Sequence, residues 1–210
     1  MKKRIVSICV IVLVLVLALF VLSACNDGRT VAGTELVSNG GFESYESASG
    51  GVTLDGWSIS YSDGIDAPYS RQPVNSDSSL YEDHGTGYVI LTTDGDSGWV
   101  YLSQEIAVDR NAIYLVSVDV RVTALSKGDN DTYRGAYVTF LENTDYFFVE
   151  QKATTDDWVT LTFYVRPLNT DYLTVTLALG ADGEECEGTA YFDNVSMMRV
   201  EESSVASGST

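Results

Sequence analysis

Two carboxylates, Glu43 and Asp193, and a set of aromatic and polar side chains, Tyr101, Asp119, Arg134, Tyr137 and Tyr146, are the residues of this 210-residue chain whose types suit chemistry at a site. A carboxylate pair suits a hard cation such as calcium, provided that further oxygens complete a shell of about six to eight. Tyrosine rings beside a carboxylate and a guanidinium offer a flat apolar face with directional hydrogen bonds at its edge. That is equipment for binding rather than for breaking bonds. His84, in Glu82-Asp-His-Gly85, is the one histidine, and no Gly-x-Ser-x-Gly nucleophile elbow accompanies it. One histidine and scattered cysteines do not build a zinc site. Glycoside hydrolysis needs only two carboxylates about 5–9.5 Å apart, so the 30 acidic residues do not exclude it by count. No pair among them has a sequence reason to titrate apart, and the chain is read as a non-enzyme. Asp94 with Asp96, and Asp129 with Asp131, do not continue as EF-hand loops and are read as solvated turns.

Strands must position these residues, because apolar side chains recur with period two and not with a helical period. Residues 113–122 place Tyr114, Val116, Val118 and Val120 on one face, with Ser117, Asp119 and Arg121 on the other. Residues 158–166 turn Val159, Leu161, Phe163 and Val165 inward, and residues 172–180 do the same with Leu173, Val175, Leu177 and Leu179. Further strands are expected at 56–61, 87–92, 99–106, 133–141, 147–152 and 189–200. Many short strands with one apolar face and no crossover helices predict an all-β, antiparallel β-sandwich. Residues 62–87 are too long for a hairpin turn and are expected to form a binding-edge loop or to hold a small strand. Trp57 and Trp158 stand at strand starts and are assigned to packing.

The formal net charge is −18, with 12 Lys and Arg against 30 Asp and Glu. Such a chain repels nucleic acid and anionic headgroups. Three of its basic residues, Lys2, Lys3 and Arg4, precede a nearly unbroken apolar run from Ile5 to Val21. Basic start, apolar stretch and small residues read as a secretory signal peptide, with a transmembrane helix as the competing reading. Leu22-Ser-Ala-Cys25 resembles the bacterial lipobox. The resemblance implies cleavage before Cys25 and acylation of its thiol. It places the protein at the cell membrane, lipid-anchored and facing outside the cytoplasm. Two or three acyl chains, at ~0.8 kcal/mol per buried methylene, make a stable anchor. Residues 1–24 are then the leader, 25–34 the lipidated cysteine with a short tether, 35–200 the folded body and 201–210 a polar tail. Cys186 then has no second cysteine for an intramolecular disulfide and lies among Glu184, Glu185 and Glu187, which raise a thiol pKa, so it is read as unreactive.

The body opens with Glu35-Leu-Val-Ser-Asn-Gly-Gly-Phe-Glu43 and Leu54-Asp-Gly-Trp57, and closes with Thr189-Ala-Tyr-Phe-Asp-Asn-Val-Ser196. Between them stand Tyr101-Leu-Ser-Gln-Glu-Ile106 and Tyr114-Leu-Val-Ser-Val118. Together these resemble the carbohydrate-binding modules with a galactose-binding-like jelly roll, of the type found beside xylanases and glucanases. The resemblance implies a structural calcium joining the first and last strands, with Glu43 and Asp193 among its ligands. It also implies non-catalytic binding of a polysaccharide or oligosaccharide on one sheet face.

Aromatic rings stack on the apolar face of a pyranose, and carboxylates, amides and guanidinium groups read its hydroxyls. If the strands carrying them are neighbours, Tyr101, Asp119 and Tyr137 converge on one outer face, with Arg134 and Tyr146 near its ends. The family usually has an aromatic residue where Asp119 stands. The rival readings are a protein-interaction or structural module of the envelope and, further off, a small glycoside hydrolase. If the tyrosines prove buried, the edge loop with Tyr69, Arg71 and Tyr81 is the alternative site.

Overall fold

The structure is a computed structural model that describes residues 29–48, 51–65, 68–73, 84–94, 98–127, 134–142, 148–151, 153–155, 157–183 and 186–202. Cys25, Tyr81 and Tyr146 lie outside the described residues. Among those described are thirteen strands: β1 (Arg29–Glu35), β2 (Tyr45–Ala48), β3 (Gly51–Leu54), β4 (Ser58–Tyr61), β5 (Tyr69–Pro73), β6 (Gly87–Asp94), β7 (Val100–Ala107), β8 (Ile113–Lys127), β9 (Ala136–Phe140), β10 (Phe148–Gln151), β11 (Val159–Val165), β12 (Tyr172–Leu179) and β13 (Cys186–Glu202). One sheet has the order β11-β8-β13-β6-β5, with β1 also paired to β13. The second has the order β10-β9-β12-β7-β4, and β2 and β3 form a separate hairpin. Every pairing is antiparallel. The chain is an all-β antiparallel sandwich of the jelly-roll kind.

The period-two reading explains the core. Val116, Val118, Val120 and Val122 of β8 are fully buried, as are Leu173, Val175, Leu177 and Leu179 of β12. β8 and β12 lie in different sheets, so the two inner faces meet between them. Trp57 is buried beside Phe42, with ring centroids 5.3 Å apart, and its Nε1 donates to the Asn39 carbonyl at 3.2 Å. Trp158 is half-buried away from that core, stacked on His84 at 4.1 Å.

The two motif-bearing ends of the body meet in space. A Cβ on Gly40 would come 1.9 Å from the Val195 carbonyl oxygen, and the Val195 N–H donates to the Gly40 carbonyl at 3.0 Å. Phe42 has φ 54°, a left-handed conformation rare for a bulky residue, and is fully buried. On the facing strand a register shift falls between Asp193 and Ser196, where Asn194 also has positive φ. A bulge at this point re-aims the side chains around Asp193.

Three expectations need correction. Residues 29–34 are not mere tether: β1 pairs with β13, Thr30 opposite Glu201 and Val31 opposite Val200. The polar tail likewise begins later than residue 201, because β13 runs to Glu202. The strands of Tyr101, Asp119 and Tyr137 are not neighbours in one sheet. β7 and β9 flank β12 in the five-stranded sheet, while β8 belongs to the other.

Candidate functional site

The outer face of the five-stranded sheet carries one cluster. Along β7, Val100, Leu102 and Ile106 fill the core, so Tyr101, Ser103 and Glu105 face outward. On β9, Ala136, Val138 and Phe140 fill the core and Tyr137 faces outward. Ala178 of β12 lies between Tyr101 and Tyr137 in register. Its small side chain leaves room for the two rings to meet at 6.5 Å, edge to face. The Tyr137 hydroxyl donates to the Tyr101 hydroxyl at 3.3 Å. The Arg134 guanidinium lies 5.6 Å from the centre of the Tyr137 ring. Glu150 stands opposite Tyr137 on β10, and its carboxylate accepts the Gly135 N–H at 2.9 Å.

Covered by these neighbours, Tyr137 is only 3% exposed. Burial pushes its hydroxyl far above the ordinary tyrosine range, and the hydrogen bond to Tyr101 adds to the shift. Tyr137 is therefore a neutral support and not an open stacking surface, which corrects its expected role. The accessible rings are those of Tyr101 and Trp99, both half-buried and stacked on each other at 4.5 Å with planes 29° apart. Trp99 is absent from the expected site, although its spacing of two from Tyr101 puts both on one face. Beyond this cluster the Ser103 and Thr176 hydroxyls lie 2.9 Å apart.

Asp119 does not join these residues. It lies on the outer face of the six-stranded sheet, opposite Asp193 on β13 and Thr160 on β11. Its carboxylate accepts the Thr160 hydroxyl at 2.6 Å and the Asn194 side-chain amide at 2.9 Å. One-residue alternation puts it on an outer face, but of the wrong sheet.

Asp119 belongs instead to a second cluster, around Glu43 and Asp193. Asp193 is fully buried. One carboxylate oxygen accepts the Asn194 N–H at 2.8 Å, and the other lies 2.9 Å from His84 Nδ1. Burial pushes the Asp193 carboxyl up to about 8; Asp119 and Glu43 push the same way, against the Asn194 N–H and Arg71. Glu43 is held by the Thr86 N–H at 2.6 Å and by the Thr86 hydroxyl, with Arg71 at 3.7 Å. Gly41 separates the two acids: a Cβ there would lie 3.8 Å from both Asp193 Oδ1 and Glu43 Cγ. Among the described residues no three His, Cys, Asp or Glu side chains are grouped to hold a metal. Buried Asp193 does feel the negative charge of Asp119 and of the exposed Glu43, with Arg71 and His84 as the opposing groups, and a hard cation would relieve that repulsion. Glu43 and Asp193 would be its side-chain ligands, with backbone carbonyls completing the shell.

The alternative loop site loses its openness. The Tyr69 hydroxyl donates to the Val52 carbonyl, and Arg71 Nε donates to the Phe42 carbonyl at 2.9 Å. Both residues belong to β5, the small strand within residues 62–87, and both side chains tie it to the body.

No protein-family model matches the chain, and no curated protein sequence matches it. Solved structures do. The chain is similar to the carbohydrate-binding module TmCBM61, solved in complex with β-1,4-galactotriose, at 17% identity and TM-score 0.53, over 79% of this chain and 99% of that one. It is similar to the N-terminal CBM22-1-CBM22-2 tandem domain of Paenibacillus barcinonensis Xyn10C, at 16% identity and TM-score 0.51, over 89% of this chain and 50% of that one. A third similarity is to the enzymatically active domain of tailspike protein 4 of bacteriophage CBA120, at 14% identity and TM-score 0.51, over 79% of this chain and 21% of that one. At these identities the likeness is one of fold.

Proposed function

We propose that this protein is a non-catalytic carbohydrate-binding module held at the outer side of a bacterial cell membrane by lipid on Cys25. The observation that carries the sugar reading is the half-exposed Trp99–Tyr101 stack, with Arg134 and Glu150 nearby on the same end of one sheet. Aromatic faces pack against the C–H face of a pyranose, while carboxylate and guanidinium groups bond its hydroxyls. Sandwich neighbours that include carbohydrate-binding modules support the same class of ligand. A glycan array followed by titration tests it. Trp99→Ala or Tyr101→Ala should weaken binding by roughly 1–3 kcal/mol, about 5- to 150-fold. Silence across glycans with recovery of a protein partner would move the face to docking, and release of reducing sugar would move it to hydrolysis.

The reading includes a structural calcium at Glu43 and Asp193. Its role is to neutralise carboxylates that bring the first and last segments of the body together. It takes no part in sugar recognition.

A further inference from the structure

A second place on the molecule combines an exposed aromatic ring, an aliphatic side chain and planar polar groups. A cavity of about 610 Å³ opens at the start of β12, lined by Leu141, Glu142, Asn169, Asp171, Tyr172 and Arg110 among others. Its volume falls within the roughly 300–1,000 Å³ of small-ligand sites. Leu141 is 67% exposed and Tyr172 43%, so both leave apolar surface in water beside the cavity.

The rim is built, not loose. Glu142 accepts both the Thr174 N–H and the Thr174 hydroxyl at 2.6 Å. The Tyr172 N–H donates to the Thr170 hydroxyl oxygen at 3.2 Å, and that hydroxyl donates to the Tyr172 carbonyl at 2.9 Å. The Val108 N–H donates to the Asp171 carbonyl at 2.9 Å, which fixes the loop to the end of β7. Arg110 and Asp171 meet at 3.3 Å while both remain largely solvent-exposed. An exposed ion pair of this kind contributes little stability, and it offers a ligand both donors and an acceptor.

We propose that this cavity is a second saccharide-binding site, taking one or two units of a neutral glycan against Tyr172 and Leu141. Hydroxyls, which donate and accept, match the mixed set of Arg110, Asp171, Asn169 and Glu142. Two carboxylates against one guanidinium, in a chain of net charge −18, select against uronic acids and other anionic sugars. Tyr172 shares the outer face of β12 with Thr174, Thr176 and Ala178. It stands six residues from Ala178, or ~20 Å along the strand. Thr176, between them, is 1% exposed, so the two places are separate sites and not one open groove. A polymer that reaches both gains avidity from the linkage.

The inference rests on the carbohydrate reading, and the test separates the two. The purified protein is titrated with β-1,4-galactotriose, cellotetraose and xylotetraose, and its retention on the matching polymers is measured. With a sugar that binds, the stoichiometry should be two. Tyr172→Ala should reduce it to one and lower retention on the polymer at least tenfold, with an unchanged melting temperature because the ring faces solvent. Polygalacturonate should not be retained. A stoichiometry of one that Tyr172→Ala leaves intact and Trp99→Ala abolishes would overturn this site and leave the Trp99–Tyr101 reading standing. A single site lost in Tyr172→Ala but kept in Trp99→Ala would support this site and overturn the other. Failure of the unsubstituted protein to bind any of the sugars overturns both.

Discussion

Replacing Gly40 by alanine adds one methyl group at the point where the first and last segments of the body touch. That methyl would sit 1.9 Å from the Val195 carbonyl oxygen and 3.3 Å from a Val37 methyl. The obstructing atom is backbone on a core-facing strand, so it cannot swing aside as a side-chain tip would. Gly40 does not have a left-handed φ, so the cost is steric and not conformational. To relieve it the Asn39–Glu43 turn must move off β13. Overpacking of this kind costs about 1–3 kcal/mol. Movement also strains the Val195–Gly40 backbone hydrogen bond, worth about 1 kcal/mol. The sum is ~2–4 kcal/mol, or a fall of roughly 5–15 °C in melting temperature for a domain of this size. Gly183 is the control. It has φ 76° with nothing within 4 Å of the place an added methyl would take, so Gly183→Ala carries only the left-handed backbone cost, about 1–2 kcal/mol. Differential scanning calorimetry measures both. If Gly40→Ala melts within about 2 °C of the unsubstituted protein, the close approach of the two segments is not as described.

Tyr137→Phe removes the hydroxyl that donates to Tyr101 but keeps the buried ring. Sugar affinity, measured by titration calorimetry, should fall less than fivefold; a loss above tenfold would make Tyr137 a direct ligand contact. Calcium at about 100 times its dissociation constant should stabilise the protein by ~2.7 kcal/mol, which a chelator reverses. Scanning fluorimetry should register that as a rise of about 5–10 °C, and an identical melt in chelator and in calcium would remove the metal. Mass spectrometry of the mature protein should find Cys25 at the N-terminus with acyl chains attached, and an unmodified Cys25 or a retained leader contradicts the anchor.

Alternation along the chain was enough to define an all-β sandwich. Val116 to Val122 and Leu173 to Leu179 announce their buried faces because successive side chains point to opposite sides of a strand. That local rule holds whatever the strand pairs with, and it also put Tyr101, Tyr137 and Asp119 on outer faces. Alternation carries no information about which strand is next to which. The tertiary structure decided that β12 separates β7 from β9 and that β8 sits in the opposite sheet, joining Asp119 to Asp193 instead of to the tyrosines. β1, exposed along most of its length, has no apolar face to betray it. Burial of Tyr137 depended on Arg134 and Tyr101 arriving beside its ring. Strand phase is written in neighbouring residues, whereas strand order and the covering of a face are set by contacts between residues far apart in sequence, which only the folded chain brings together.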